Sequence, residues 1–410
     1  MPRVLVIASK IGYQTRAFVD AGARLGYTIQ LATDRCHNLA DPWGDAALAL
    51  DFDHPEPLAN ERFDGIIAAG DIPAHVASVI AGGLGLRFHP PAAVATARNK
   101  YEARLRFAAA GLPVPRFQRF PLIAPQRPSM YPVVLKPLGL SASRGVIRAN
   151  DDAEFDAAFA RIRALLERSE IRQHRQEIDR YIQVEEFIPG REYALEGLMT
   201  AGKLRVLAIF DKPDPLDGPF FEESIYVTPS RASASEQAAM IAAVNRAIEA
   251  LGLAEGPVHA EVRVNAAGVW MLEVAPRPIG GLCARALRFE SGMGLEEVLL
   301  RHAVGEDCAD ERLRSGGSGV MMIPIPKRGI YRGVTGIDEA RATEGIEGLE
   351  ITAMAGNELV PLPEGSSYLG FLFAHGNSPA EAEAALREAH GKLRIQISDV
   401  LPQVEKRQPH

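Results

Sequence analysis

The fold is decided by the stretch Pro257-Val-His-Ala-Glu-Val-Arg-Val-Asn-Ala-Ala-Gly-Val-Trp-Met-Leu-Glu-Val-Ala-Pro-Arg277. Apolar and polar residues alternate in both of its halves, which is typical of two β-strands with one buried face. Gly268 can adopt the left-handed backbone of a tight turn, so we predict a hairpin with the three-residue loop Ala266–Gly268. This register places Glu261 directly opposite Glu273.

The predicted register also decides which side chains share a face. Three cross-strand pairs would form one wholly apolar face: Val264 with Trp270, Val262 with Leu272, and Ala260 with Val274. On the other face, the two glutamates would repel each other unless a cation lies between them. Because magnesium commonly takes one or two protein carboxylates, we expect Glu261 and Glu273 to bind Mg²⁺ or Mn²⁺. The alternative is that both are solvated on the exposed face of an edge hairpin.

The segment after the hairpin reads Arg277-Pro-Ile-Gly280-Gly281. An arginine four residues beyond a metal carboxylate can reach the same phosphates, or a substrate carboxylate, through two parallel hydrogen bonds. Gly280 and Gly281 allow backbone amides to approach a ligand closely. We therefore predict a catalytic and substrate-binding role for Arg277 and substrate contacts for both glycines. An ordinary strand that ends in a Pro/Gly turn would look the same.

A second motif is the apolar strand Val133-Val-Leu-Lys136, which is followed by the Gly- and Ser-rich stretch from Gly139 to Gly145. The backbone amides of such a loop can surround phosphate oxygens, and Lys136 can neutralise phosphate charge during transfer. The loop is not a Walker A motif, because the chain contains no G-x-x-x-x-G-K-[ST]. Many stretches of this composition are simply turns.

The composition limits the function classes. The chain has 410 residues, 47% of them hydrophobic, and a formal net charge of -7, so we expect three or four lobes in an ordinary globular protein. Without a block of positive charge, neither a nucleic-acid partner nor a membrane surface is expected. Only Cys36, Cys283 and Cys308 occur, without C-x-x-C spacing, and no signal peptide is recognisable, so a cytoplasmic location is expected.

The order of predicted elements divides the chain. Apolar runs near residues 4–8, 28–32 and 65–69 alternate with helix-like stretches, which predicts a βα-repeating first domain without a dinucleotide fingerprint. Capping boxes predict helices that begin at Ser233 and at Ser378. The stretch Ser315–Gly319 is interpreted as a hinge into a β-rich terminal domain.

Together these motifs resemble the ATP-grasp superfamily, whose magnesium strand typically reads E-x-N-x-R followed by glycines. Ala275 stands where that pattern has an asparagine ligand, so the metal site would rest on two carboxylates. The resemblance implies that Lys100 and Lys136 hold the triphosphate of ATP together with Ala142 and Ser143 of the loop.

The segment Val184–Glu192 resembles the hinge that contacts adenine in this superfamily. By that resemblance, Glu185 and the Glu186 carbonyl accept from the exocyclic amine and the Ile188 amide donates to the ring. Phe187 lies between them, and Glu192 would hold the ribose hydroxyls. An ordinary strand and turn with exposed glutamates is the alternative.

Two further stretches are similar to L-amino-acid ligases, the dipeptide-forming branch of the superfamily. In residues 220–226, acids beside aromatic residues suit an ammonium substrate, and Glu223 best matches the substrate-facing acid. A half-exposed strand would explain that stretch equally well. Gly319–Pro326, with residues 362–365 and 368–374, is similar to the C-terminal domain of these ligases.

The resemblance implies an α/β fold of four parts. They are an N-terminal βα, Rossmann-like domain (1–92), two ATP-grasp subdomains (93–180 and 181–312) and a β-rich α+β C-terminal domain (313–410). The implied reaction joins a small-molecule carboxylate, an amino acid by analogy, to an amine through an acyl phosphate, with release of ADP and phosphate and a dipeptide-like product. A homodimer is the family-like expectation. His259 is a candidate base for the amine, with a structural role as its alternative. A biotin-carboxylase-like enzyme and a non-catalytic ATP-binding regulatory protein remain open.

Overall fold

The computed structural model describes residues 1–9, 13–34, 47–55, 58, 61–123, 126–172 and 176–400. The first sheet is built from short apolar runs that are parallel and buried. Its strands are β1 (Arg3–Ala8), β2 (Thr28–Thr33), β3 (Leu48–Ala49) and β4 (Gly65–Ala69), in the order β3-β2-β1-β4. Helices α1 (Tyr13–Leu25) and α2 (Asp71–Leu84) pack against it, and α3 (Pro91–Arg98) follows. The predicted βα-repeating beginning is confirmed.

The second sheet is antiparallel and carries the predicted phosphate-binding elements. Its strands are β5 (Phe117–Pro121), β6 (Val133–Pro137), β7 (Ile147–Ala149) and β8 (Tyr181–Glu186), in the order β5-β8-β6-β7. Helices α4 (Lys100–Ala109), α5 (Asp152–Leu166) and α6 (Ser169–Arg172) belong to the same part of the chain, with a 3₁₀ turn at Glu177–Arg180. The Asn99 side chain caps α4 by accepting from the amides of Tyr101 and Glu102, and this cap places Lys100 in the first turn.

The third sheet has eight strands and runs through the centre of the molecule. Its first five strands in sequence are β9 (Arg191–Thr200), β10 (Lys203–Asp211), β11 (Ile225–Thr228), β12 (Gly256–Asn265) and β13 (Gly268–Ala275). Helix α7 (Ala234–Leu251) covers one face with Met240, Val244 and Ile248 buried, and its capping box at Ser233 is present as predicted. After a 3₁₀ turn at Cys283–Ala286, α8 (Leu295–Ala303) packs against α1 of the first domain.

The C-terminal part extends the same sheet. It contributes β14 (Gly317–Ile323), β16 (Ile346–Ile351) and β18 (Gly370–Gly376), which complete the order β13-β12-β9-β10-β11-β14-β18-β16. A small sheet of β15 (Gly329–Thr335), β17 (Glu358–Leu359) and β19 (Arg394–Ser398) lies beside it, with α9 (Ile337–Arg341) and α10 (Pro379–Lys392). Sheets therefore cross the predicted boundary at residue 312, and β8, just after the predicted boundary at 180, pairs with β5 and β6. The four-part division stays a prediction.

The prediction of a hinge at Ser315–Gly319 is wrong. Gly317, Ser318 and Gly319 form the start of β14 and are buried in the central sheet. The glycines are there because the chain passes close to its neighbours. A Cβ on Gly317 would lie 2.1 Å from the Ser378 carbonyl carbon, and one on Gly319 would lie 2.8 Å from the Leu386 side chain. Close packing, and not flexibility, therefore explains why this segment is rich in glycine.

Two expectations from composition can be compared with the structure. Cys283 and Cys308 are buried free thiols, whereas Cys36 lies outside the described residues. Within the described part of the chain, no helix combines the length and the apolar character that crossing a membrane requires.

Candidate functional site

The hairpin of β12 and β13 keeps the predicted pairing of Glu261 with Glu273 but reaches it differently. Asn265 pairs with Gly268, so the loop has two residues rather than three, and Arg263 rather than Val264 faces Trp270. A β-bulge next to Glu261 then shifts the register by one residue and restores the pairing of the two glutamates. The predicted apolar face is wrong in the turn-proximal part of β13.

The bulge also exchanges the faces of four side chains of β13. Val269 and Met271 enter the hydrophobic core, whereas Trp270 and Leu272 lie on the other face. The buried guanidinium of Arg104 donates to the carbonyls of Met271 and Leu272 and so fixes the backbone at the bulge. Because Arg104 lies in α4, a contact distant in sequence decides this register.

One cavity of about 290 Å³ lies where the second and third sheets meet. The fifteen residues that the sequence predicts to bind ATP, substrate or metal all line it. They are Lys100, Lys136, Ala142, Ser143, Glu185, Glu186, Phe187, Ile188, Glu192, Glu223, Glu261, Glu273, Arg277, Gly280 and Gly281. Residues from the second and third sheets and from α4 are thus brought together, although their individual roles stay predictions.

The Gly- and Ser-rich loop forms one wall of the cavity. Ala142 and Ser143 both have positive φ, 55° and 54°, a backbone conformation that side chains other than glycine adopt rarely. Lys100 donates to the Leu140 carbonyl at 2.8 Å, which ties this loop to α4. The loop is also held by the C-terminal part of the chain, because the Gly145 amide donates to the Pro363 carbonyl at 2.8 Å.

The hinge residue Glu185 is the centre of a buried ion-pair network. One carboxylate oxygen accepts from Arg104 Nε at 2.7 Å, and the other lies 2.6 Å from Lys136 Nζ. Burial by itself raises the pKa of Glu185, but the charges of Arg104 and Lys136 outweigh it and lower the pKa to about 2. Glu185 is therefore ionised and holds Lys136 at the cavity wall; its predicted contact with adenine stays a prediction.

A buried lysine that the sequence did not nominate, Lys212, lies among three carboxylates. Its ammonium group is 2.8 Å from Glu192, 2.9 Å from Glu261 and in contact with Glu223. Burial opposes its charge, but the three glutamates raise the pKa of Lys212 well above its ordinary value. Burial, together with Glu261 and Glu192, raises the pKa of Glu223 to about 7 against the effect of Lys212. The Lys212 ammonium group thus balances part of the negative charge of the three glutamates beside the hairpin.

The donor set fits a hard divalent cation. Carboxylate oxygens of Glu192, Glu223 and Glu261 lie within 4.8 Å of one another, and Glu273 faces Glu261 across the hairpin. The Glu273 carboxylate lies 3.5 Å from Lys100 Nζ, so lysines balance the charges on both sides of the glutamate pair. Oxygen ligands in a partly exposed pocket are what magnesium requires. Ala275 is buried and its side chain offers no oxygen ligand, so the role of Glu261 and Glu273 as the two metal ligands of the hairpin stays a prediction.

His259 is placed between two carboxylates. Its Nδ1 is 3.0 Å from Glu196, and its Nε2 is 3.7 Å from Glu261. Burial lowers the pKa of His259, but the two glutamates raise it to about 9. A histidine that is already protonated near neutral pH cannot accept the proton of an amine, so this geometry favours the structural alternative over the role of base.

Arg277 is held by the first domain. Its Nε donates to Asp71 Oδ1 at 2.7 Å, and Asp71 is the first residue of α2. Gln14 of α1 donates to the Ile279 carbonyl at 3.4 Å, so the segment that carries Gly280 and Gly281 is also in contact with this domain. Asp71 and Gln14 both line the cavity. The first domain therefore contributes side chains to the site.

Two family models match the chain. An ATP-grasp domain matches residues 129–286, and an L-amino acid ligase C-terminal domain matches residues 321–398. The chain contains an ATP-grasp domain. The first match contains Lys136, the hinge segment, the hairpin and Arg277, and the second runs from β14 to β19. The predicted resemblance and the predicted α/β ATP-grasp fold are both confirmed.

Individual relatives agree with this assignment. The structure is similar to that of the L-amino acid ligase from Bacillus licheniformis, with a TM-score of 0.82 and 25% identity over 97% of this chain and 99% of that one. An uncharacterized protein from Sinorhizobium fredii is 24% identical over 315 residues, which are 75% of this chain and 63% of the relative. The alanine–anticapsin ligase of Bacillus amyloliquefaciens is 27% identical over 237 residues, 53% of this chain. The chain spans about half, 49%, of that ligase.

Several residues of this ATP-grasp site were not nominated from the sequence. Lys212 had a usable signal, because Lys212-Pro213 follows an apolar strand just as Lys136-Pro137 ends one. Asp71 follows the carboxyl end of a parallel strand, where open α/β sheets commonly bind ligands. Arg104 had no local signal, because its partners are distant in the sequence.

Proposed function

We propose that this ATP-grasp protein is an ATP-dependent ligase that joins the carboxylate of an amino acid to an amine and releases ADP and phosphate. The observation that carries the proposal is the common cavity. Lysines and a backbone loop suited to phosphates lie there beside paired carboxylates suited to a metal and an arginine suited to an anionic substrate. The similarity to L-amino acid ligases supports an amino-acid substrate and a dipeptide-like product.

The reaction would proceed in two steps. A carboxylate oxygen attacks the γ-phosphorus of ATP, the bond from that phosphorus to the β–γ bridging oxygen breaks, and ADP leaves. The amine nitrogen then attacks the acyl carbon, the C–O bond to phosphate breaks, and phosphate leaves with one oxygen of the original carboxylate. The amine loses a proton, for which the described residues offer no clear base.

The residues of the cavity would serve positioning and charge neutralisation, which phosphoryl transfer chiefly demands. Lys136 and Lys100 are held at the wall by Glu185 and Glu273, at 2.6 and 3.5 Å, and can turn to the phosphates when ATP enters. Arg277 would bind the oxygens of the carboxylate and of the transferring phosphoryl group. Glu261 and Glu273 would hold the divalent cation, which when bound neutralises and orients the phosphates.

The amine side of the proposal is carried by the acidic cluster. Glu223 lies at the cavity surface with its side chain 17% exposed, and it shares Lys212 with Glu192 and Glu261. An ammonium group of a substrate could pair with Glu223, because three carboxylates share the single positive charge of Lys212. This keeps the predicted substrate role of Glu223 and adds Lys212 as the group that sets the local charge.

The test is ADP formation across a matrix of amino acids and other carboxylates, each with and without amines, in the presence of Mg²⁺. We expect ADP only where a carboxylate and an amine are both present, and none after chelation of the metal. Tight ATP binding without turnover on any pair would contradict the ligase and support the regulatory alternative. ADP formation with bicarbonate and a biotin acceptor alone would support the carboxylase alternative.

A further inference from the structure

The guanidinium group of Arg277 is only partly used by its protein partners. Nε and Nη2 face the two oxygens of Asp71 at 2.7 and 3.5 Å, and Nη1 donates to the Pro278 carbonyl at 3.1 Å. An arginine carries five N–H donors, so these contacts leave one N–H on each terminal nitrogen. The side chain is 14% exposed and lines the cavity. Arg277 is thus fixed on one edge and retains two donors for a ligand.

The local structure explains why Asp71 reaches this position. Strand β4 ends at Ala69, Gly70 adopts a φ of 115°, and α2 begins at Asp71. This turn places the Asp71 carboxylate at the carboxyl end of a parallel sheet. Of the described residues, Lys100 and Arg98 also act on Asp71: burial raises its pKa, but Arg277, Lys100 and Arg98 lower it overall. Asp71 is therefore ionised, and its contact with Arg277 is a partly buried ion pair.

The segment after Arg277 is held on more than one side. The Ile279 amide donates to both oxygens of the buried Glu196 at 3.1 and 3.2 Å, and the Ile279 carbonyl accepts from Gln14. The backbone beyond Arg277 is therefore fixed without Asp71. Among the described residues, the other side-chain hydrogen bond of Arg277 goes to the Pro278 carbonyl, within its own segment. The orientation of the guanidinium group therefore depends on Asp71.

We infer that Asp71 is a positioning residue, which orients Arg277 so that its two remaining N–H groups meet the oxygens of the substrate carboxylate and the transferring phosphoryl group. This inference rests on the proposed function, in which Arg277 binds those oxygens. A salt bridge that merely joins two lobes would change stability but leave turnover intact. The two possibilities differ in kinetics, because a misplaced group at the reacting centre lowers kcat more than it weakens ATP binding.

The test compares Asp71→Asn, Asp71→Glu and the matched control Asp152→Asn. Asp152 is likewise the first residue of a helix, α5, but it is 69% exposed and pairs with Tyr131 and Arg127 outside the cavity. We expect Asp71→Asn to lower kcat by about tenfold to a hundredfold with the KM for ATP within about twofold. Asp71→Glu should regain part of kcat, and Asp152→Asn should match the wild type. Urea denaturation of each variant reports folding.

A second readout separates this inference from the proposed function. The ¹⁵N NMR signal of Arg277 Nε, assigned by its loss in Arg277→Lys, reports whether the guanidinium group is held. We expect faster guanidinium rotation in Asp71→Asn and no change in Asp152→Asn. If the wild type forms ADP but Asp71→Asn keeps its kcat, the inference is overturned while the ligase stands. If the wild type forms no ADP with any carboxylate and amine, the proposed ligase function is wrong. In that case the NMR measurement still decides the inference, which an unchanged rotation rate in Asp71→Asn would overturn.

Discussion

Glu185→Gln should destabilise the protein far more than the same change at the next residue. The Glu185 side chain is 2% exposed and bridges Arg104 and Lys136. Glutamine keeps the shape of the side chain but removes its charge, and it leaves two cations without their shared partner. Breaking a buried ion pair from one side costs roughly 3–5 kcal/mol.

The pKa of Glu185 gives a second estimate of how much its ionised form stabilises the fold. Its folded pKa is about 2, against an ordinary value of 4.5. At 1.36 kcal/mol per pH unit, this difference corresponds to about 3 kcal/mol. Because the folded pKa is lowered, this stabilisation is fully present above pH 4.5 and is lost as the pH falls towards 2. At pH 3 only about 1 kcal/mol of it should remain.

The assay is urea denaturation of the wild type, Glu185→Gln and Glu186→Gln at pH 7 and pH 3. Glu186 is a matched control, because its carboxylate is 32% exposed and pairs with Arg116, which is 71% exposed. We expect Glu185→Gln to lower the free energy of unfolding by about 3 kcal/mol at pH 7 and about 1 kcal/mol at pH 3. The free energy of unfolding of Glu186→Gln should stay within about 1 kcal/mol of the wild-type value at both pH values. Equal stability of the two variants at pH 7 would show that the ion pairs of Glu185 do not stabilise the fold.

Two further predictions concern activity. Glu273→Ala should abolish ADP formation but change the free energy of unfolding by no more than about 1 kcal/mol, because the side chain is partly exposed. Retained turnover would contradict the assignment of Glu273 to the metal. The double variant Glu364→Gln/Arg161→Met should raise the KM for ATP by about two- to fivefold. It removes the hydrogen bonds of 2.7 and 2.9 Å between these two side chains, next to Pro363, whose carbonyl holds the Gly- and Ser-rich loop. The control Glu347→Gln breaks the similar exposed pair with Arg314, at 2.8 and 2.7 Å, and should leave this KM unchanged; an equal change in both would contradict a specific role for Glu364.

Local patterns in the sequence were sufficient for many of the helices and strands and for the motifs that carry the predicted site residues. The caps at Ser233 and Ser378 depend on hydrogen bonds within one turn, so their helices could be predicted from neighbouring residues. Lys136 and the Gly139–Gly145 loop are likewise defined by a strand end and its continuation. Their assembly into one cavity followed from the resemblance to the ATP-grasp superfamily, since no local pattern relates Lys100 to Glu273.

The features that could not be predicted depend on partners far away in the chain. The β-bulge is bound by Arg104, which is 167 residues from Met271, so turn geometry alone could not predict the change of register along the hairpin. The ion pair of Arg277 with Asp71 spans 206 residues. The glycines at 317 and 319 were interpreted as a hinge because composition does not distinguish flexibility from close packing against α10.

We propose that the substrate carboxylate is activated by phosphorylation in this cavity before the amine attacks. It can be tested with a carboxylate substrate labelled with ¹⁸O, an amine that supports turnover, and mass spectrometry of the released phosphate. We expect one ¹⁸O atom in each phosphate formed, because the carboxylate oxygen that attacks the γ-phosphorus leaves with the phosphate. Amide formation with unlabelled phosphate would contradict the acyl-phosphate route.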